Sequence, residues 1–317
     1  MKRRLFLSGS AGAVLALVGC GGGGGGGAGA ETTASGVSTG ASFAQAVSRG
    51  PASAGAGTGP LPARMLACYY TGWDRSFALT DVPLDFSVVY LFNAENGGTN
   101  NGDGSWYWSY GANISTAQIQ EVRARGQKVV LTVGGAGQGF NYTNRAQSTN
   151  CVNSIQAIIA SMGGIDGIDF NNYEAGIGTD PGEMIWIAQQ LIAAYGPDFI
   201  ITTPPQPNAG ADLSLCQAMA NAGVLTYAAP QFYDWSGFNE PGYISSRIQE
   251  WAAALGPDKI MLGLSANYAN GPSMGDCLRE WSAAAAAHPQ LRGTFCWNAQ
   301  SNLAGGNAWG SAMKSML

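Results

Sequence analysis

Residues 164–176 read GIDGIDFNNYEAG. Ile165, Ile168 and Phe170 make the run apolar, while Asp166 and Asp169 place two carboxylates inside it. A strand with one solvated face alternates apolar and polar residues. A strand covered on both faces reads as a nearly continuous apolar run, as this one does, and that is the pattern of a parallel sheet flanked by helices. The carboxylates and amides at its end then point to chemistry at the C-terminal end of an inward-facing strand.

Seven other runs share this character: MLACYY (65–70), FSVVYLF (86–92), KVVLTVGG (128–135), FIITTPP (199–205), VLTYAAPQFY (224–233), KIMLGLSA (259–266) and LRGTFCW (291–297). Between them lie segments with apolar residues at three- and four-residue steps, such as TAQIQEVRARG (116–126), GEMIWIAQQLIAAYG (182–196) and ISSRIQEWAAALG (244–256), several of them stopped by glycine. Eight strand–helix units in roughly 255 residues describe an α/β fold of the (β/α)8, TIM-barrel type over 62–317. A doubly wound open sheet is the alternative. It is weakened because no glycine-rich dinucleotide loop follows the first strand.

The N-terminal sixty residues have a different character. Arg3-Arg4 and Leu5-Phe6-Leu7 lead an apolar stretch that ends Leu17-Val18-Gly19-Cys20. The stretch is too short to span a bilayer, and small residues before a cysteine fit an export signal of the lipoprotein kind. Residues 1–20 are therefore expected to be a twin-arginine/lipoprotein signal with Cys20 lipidated. The glycine-, alanine- and serine-rich residues 21–61 form a tether with too few bulky side chains to offset the entropy of ordering. The expected location is the bacterial cell envelope or surface, with the membrane reached through the Cys20 anchor.

The chain carries a net charge of −5, and residues 1–19 hold Lys2, Arg3 and Arg4 and no acid, so a chain starting at Cys20 would carry −8. An acidic domain with dispersed cations is a poor nucleic-acid partner. His288 is the one histidine, and Cys68, Cys151, Cys216, Cys277 and Cys296 fit no metal-ligand spacing, so neither a metal nor another cofactor is expected. Export permits disulfides, but five cysteines leave one unpaired, and Cys68 and Cys296 look like buried strand positions. A monomer is expected.

The strand ends of such a barrel form the reactive rim. Here they read YYTGWD, TVGGAG, DFNNYE, QFYDW and CWNAQ. Aromatic faces beside amides and carboxylates suit a sugar polymer, whose C–H faces pack on rings while its hydroxyls take hydrogen bonds. Trp73, Trp106, Trp108 and Trp235 are candidate sugar platforms, with packing as the competing role.

On these residues the chain resembles glycoside hydrolase family 18, the plant-type class III chitinases in particular. KVVLTVGGAG is similar to the family's Ser-x-Gly-Gly strand, with Thr132 in the serine position and Gly134-Gly135 kept. Asp166 to Phe170 resembles the start of its Asp-x-x-Asp-x-Asp-x-Glu strand. Gln231, Tyr233 and Asp234 resemble the segment that holds the sugar's N-acetyl group, and Trp297 stands where the family has the floor of the −1 subsite. The resemblance implies substrate-assisted, retaining hydrolysis of β-1,4-linked N-acetylglucosamine, as in chitin or an N-glycan core. A glutamate would protonate the glycosidic oxygen, and the substrate's acetamido oxygen would attack the anomeric carbon, an exception to the two-carboxylate scheme.

The quoted stretch is one residue longer than that motif. Without a gap, Asp169, Asn171 and Tyr173 share the inward face, Tyr173 takes the acid's place, and the barrel could only bind sugar. With a one-residue bulge near Asn171, Glu174 becomes the acid and Asn172 replaces the aspartate that orients the acetamide. Catalytic roles are then expected for Glu174, Asn172 and Asp169. Substrate contacts are expected for Tyr233, Gln231, Asp234, Trp297, Trp73, Gly134 and Gly135. A catalytically silent chitinase-like binding protein is the alternative.

Overall fold

The computed structural model describes residues 60–96, 102–135, 137–171, 178–208, 210–267, 269 and 271–317. All of them fall within one compact unit, Gly50–Leu317. Cys20, most of the tether, Asn172, Tyr173 and Glu174 lie outside the described residues.

The strands are β1 Met65–Thr71, β2 Val88–Glu95, β3 Tyr107–Trp108, β4 Lys128–Gly134, β5 Gly167–Asn171, β6 Ile200–Thr203, β7 Tyr227–Ala228, β8 Leu262–Ser265 and β9 Gly293–Trp297. All but β3 pair in parallel, in the order β7-β6-β5-β4-β2-β1-β9-β8. The two ends of that row meet through the bridges Ala228–Ile260 and Gln231–Gly263. There Met261 N–H donates to the Ala228 carbonyl and Gly263 N–H to that of Pro230, each at 2.9 Å. The sheet thus closes into the eight-stranded barrel expected from the apolar runs. The 224–233 run supplies only a two-residue strand, because Pro230 has no N–H to give to a ladder.

Among the described residues there are eight helices, α1 Thr116–Ala124, α2 Arg145–Ser161, α3 Pro181–Tyr195, α4 Gly210–Asn221, α5 Tyr243–Leu255, α6 Met274–Ala287, α7 Ala299–Ala304 and α8 Ala308–Lys314. They do not fall one per strand. The crossover from β1 to β2 holds only a 3-10 turn, Leu79–Asp81, and Leu79, Val82 and Phe86 cover that face of the sheet instead. Both α7 and α8 follow β9. One further addition is β3, which pairs antiparallel with the end of β2, Ala94 opposite Trp108 and Glu95 opposite Tyr107.

Alternation along each strand builds two cores. Leu66, Cys68, Tyr70, Val89, Leu91, Leu131, Ile168 and Phe170 face outward and pack under the helices. Met65, Ala67, Tyr69, Val88, Tyr90, Phe92, Val130, Ile200, Met261 and Phe295 fill the lumen. All five described cysteines are buried free thiols. Disulfides are therefore not part of this barrel, and Cys68 and Cys296 serve as small apolar packing groups between sheet and helices.

Asp166 stands at the start of β5, and its carboxylate receives Arg123 Nε and Nη2, each at 3.1 Å, and the Val129 N–H at 2.8 Å. It holds α1 and β4 to β5 and lies at the opposite end of the strand from the rim.

Candidate active site

Asp169 is the centre of the described site. Strand register places Thr132 of β4 directly on one side of it and Thr202 of β6 on the other. Thr132 Oγ1 donates to Oδ2 at 2.9 Å and Thr202 Oγ1 to Oδ1 at 2.7 Å. From across the lumen Tyr69 of β1 donates its hydroxyl to Oδ2 at 2.8 Å. The carboxylate is 1% exposed. Burial pushes its pKa up to about 6, while the Thr202, Tyr69 and Thr132 hydrogen bonds pull the other way. Desolvation therefore outweighs three donors that favour the anion. The same burial, with Asp169 beside it, drives the Tyr69 phenol well above its ordinary value, so Tyr69 stays a donor.

Around this cluster the rim is aromatic. Trp297, at the end of β9, lies nearly parallel to Tyr233, with ring centroids 6.4 Å apart and planes at 17°. It also meets Phe92 edge-on at 4.8 Å and Tyr69 at 5.5 Å. Tyr69 thus touches both the buried acid and the aromatic floor. The Tyr233 hydroxyl donates to Gln231 Oε1, and Gln231 Nε2 donates to the Pro204 carbonyl, which fixes this pair at the edge of the lumen. Asp234 follows in the left-handed region at φ 63 and is exposed. Aspartate tolerates that conformation better than most residues. Of the residues expected at the site, Asp169, Tyr233, Gln231 and Trp297 come together here. Trp73 joins them with its ring 6.5 Å from that of Trp297.

Two expectations need correction. Trp106 is no sugar platform. It is 4% exposed and donates from Nε1 to the Tyr142 hydroxyl at 2.6 Å, inside the layer between sheet and helices. Trp108 is half-buried and packs against that same layer. Gly134 and Gly135 have positive φ, 90° and 113°, but the space they leave is filled by protein. A Cβ on Gly134 would run into the Asn171 carbonyl, and one on Gly135 into the Phe92 ring. The Gly135 N–H donates to the Asn171 carbonyl at 2.9 Å. These glycines let β4 close on β5 and seat Phe92 under Trp297.

The β4–β5 register runs unshifted from Val130–Gly167 to Gly134–Asn171. Asn171 is buried, and alternation puts it on the face of Asp169. Its Oδ1 is an enclosed acceptor with no donor among the described residues, and a buried acceptor without a partner is costly. Tyr69 and Thr202 carried no sequence signal as partners of Asp169, because only strand register and closure bring them to it, whereas alternation had already put Asn171 on the Asp169 face.

A closed (β/α)8 barrel with one hydroxyl-caged acid beneath an aromatic rim is the class that these observations define. No family model matches the chain, and no curated protein matches it in sequence. Solved structures do match in fold. A Streptomyces coelicolor protein carrying the name Chitinase A superposes with a TM-score of 0.69 at 20% identity, over 80% of this chain and 98% of that one. A family GH18 chitinase from Chromobacterium violaceum gives 0.67 at 20%, over 86% and 90%. A fungal endo-β-N-acetylglucosaminidase from glycosyl hydrolase family 18 gives 0.63 at 15%, over 80% and 98%. The fold is that of the family 18 chitinases.

Proposed function

We propose that the barrel hydrolyses β-1,4-linked N-acetylglucosamine chains with retention of configuration. The observation that carries this reading is the parallel Trp297–Tyr233 ring pair, joined through Tyr69 to the caged Asp169. A sugar ring lying on Trp297 would have its 2-acetamido group directed toward the Tyr233–Gln231 edge and the Asp169 side of the lumen. Glu174 gives its proton to the glycosidic oxygen as the C1–O bond breaks. The acetamido oxygen forms the new bond to C1, giving a cyclic cation. Glu174, now a carboxylate, takes a proton from the water that reopens it. Asn172 orients the acetamide without contributing charge. The loss of that charge lowers the rate by a factor on the order of 10²–10³ relative to an aspartate there. Chitin and the N-glycan core both contain the required linkage.

A catalytically silent sugar-binding role is the second reading, and one observation favours it. The register is unshifted through Asn171, and if it continues so, Tyr173 rather than Glu174 follows on the inward face.

Digestion of chitohexaose, followed by chromatography that separates the anomers, tests the proposal. Wild type should release β-anomeric product first, Glu174→Gln should abolish turnover while oligosaccharide still binds, and Asn172→Asp should be faster. Turnover that survives Glu174→Gln sinks the acid assignment. Binding with no turnover in all three proteins leaves the silent reading standing.

The proposal extends to location. Export under the Arg3-Arg4 signal, lipidation of Cys20 and a glycine-rich tether would hold such a barrel at the cell envelope within reach of a polymeric substrate.

A further inference from the structure

We propose that the barrel forms only from the fully reduced chain, so that folding in a reducing compartment precedes export. This rests on the export proposed from Arg3-Arg4 and Cys20 and adds the order of events.

Cys68, Cys151, Cys216, Cys277 and Cys296 are all free and buried, and the fold offers none of them a partner to bridge. Cys68 of β1 and Cys296 of β9 lie directly in register and face the helix layer together. Parallel strands run about 4.8 Å apart, and side chains rising side by side keep their β-carbons near that spacing, whereas a disulfide needs about 3.8 Å. Cys277 of α6 approaches Cys296 from the helix side, but its S–H is turned to the Pro272 carbonyl at 3.7 Å. Cys151 lies on α2 and Cys216 on α4. Helix α3 packs between those two helices, and α5 packs between α4 and α6.

Burial also makes these thiols inert once the barrel has formed. It pushes Cys151 and Cys277 up to about 12 and drives Cys68, Cys216 and Cys296 far above the ordinary thiol value. The thiolate is the reactive form. At pH 7 a thiol titrating at 12 is ionised to about one part in 10⁵, against a few per cent at the unfolded value of about 8.5. The unfolded chain therefore reacts faster by a factor on the order of 10³, before access is counted.

An oxidising compartment supplies disulfide-bearing oxidants. One chain thiolate attacks such a disulfide and releases one of its sulfurs as a thiolate. A second chain thiolate attacks the mixed disulfide and releases the other. The two protons shed by the chain go to the oxidant's sulfurs, so the chain loses two electrons and the oxidant gains them. Any bridge made this way in an unfolded chain ties together positions that the barrel holds apart. It has to be broken before β1 can pair with β9 or the helices can cover the sheet. Folding first removes all five thiols from reach.

Refolding of the mature chain, taken from membranes, tests the redox requirement. Diluted out of guanidinium with dithiothreitol, it should recover native tryptophan fluorescence. With oxidised glutathione instead, recovery should fall at least about fivefold. The same glutathione added after refolding should leave all five thiols free, as alkylation counts them after denaturation. Equal recovery under both conditions overturns the proposal, as does an internal disulfide in protein alkylated at once on isolation from cells. Replacing residues 1–20 with a signal that delivers the chain unfolded tests the order. The exported protein should then carry disulfides or be lost, whereas the native signal yields five free thiols. Free thiols under both signals overturns folding before export and leaves the redox requirement in place. A chain that stays in the cytoplasm under its own signal overturns export itself, and the refolding result stands apart from it.

Discussion

Asp169→Asn keeps the shape of the central side chain and removes its charge. In the native barrel the carboxyl titrates at about 6, against a reference of 3.8, a rise of roughly two units worth about 3 kcal/mol. Because the folded value lies above the unfolded one, the folded state holds its proton more tightly. Stability from this group is fully present below about pH 4 and is lost as pH rises through about 6. Other carboxyl groups titrate over the same range, but they do so in both proteins. The difference between wild type and Asp169→Asn therefore isolates this group. Near pH 4 the wild type should be the more stable, since a neutral acid suits the three hydroxyls of Tyr69, Thr132 and Thr202 at least as well as an amide does. Between pH 4 and pH 7 the gap should move in favour of the variant by about 3 kcal/mol. Urea unfolding at half-unit pH steps, monitored by tryptophan fluorescence, gives this curve directly. A gap that stays constant across that window would refute the claim that desolvation dominates the hydroxyl cage.

Other outcomes can be checked separately. Glu280 is 1% exposed and accepts the Gly242 and Ser245 N–H groups at 2.8 and 3.0 Å, capping α5, whose own N-cap residue is glycine. Glu280→Ala should cost about 1–2 kcal/mol in urea unfolding, because two N–H groups at the start of α5 lose their charged cap. Trp297→Ala should weaken chito-oligosaccharide binding by about 1–3 kcal/mol in calorimetry, the loss of a buried aromatic contact, and an unchanged affinity would remove Trp297 from the floor. Cys20→Ser should release the protein from membranes without detergent, as fractionation would show; continued membrane partitioning argues against the lipid anchor.

The eight apolar runs were legible because a parallel strand in a closed barrel is buried on both faces, and that leaves a mark in composition alone. The six helices between strands, α1 to α6, were legible through their period, the two short ones after β9 were not, and no helix fills the β1–β2 crossover. There Leu79, Val82 and Phe86 cover the sheet without a helix, a solution that has no periodicity to detect. Tryptophan type did not reveal burial: Trp106 and Trp73 read alike in sequence, yet one donates to Tyr142 in the core and the other stands half in solvent. Burial depends on what another part of the chain brings opposite. Gly134 and Gly135 were expected to give room to the sugar, but the groups that approach them, the Asn171 carbonyl and the Phe92 ring, come from other strands.

By itself the sequence determined the barrel and the rim that carries polar and aromatic residues, both through local pattern and strand-end position, while the resemblance to family 18 pointed to Asp169, Tyr233, Gln231 and Trp297 as candidate site residues. Tertiary structure decided which side chains surround Asp169. Thr132 and Thr202 reach it through strand register, and Tyr69 reaches it from across the lumen. It also carried the register unshifted to Asn171 and added β3 to the end of β2. Register and closure join residues more than two hundred positions apart, as in the pairing of Met65 with Gly293. A one-residue change in strand pairing moves every later side chain to the opposite face, and no local feature of the chain encodes that choice.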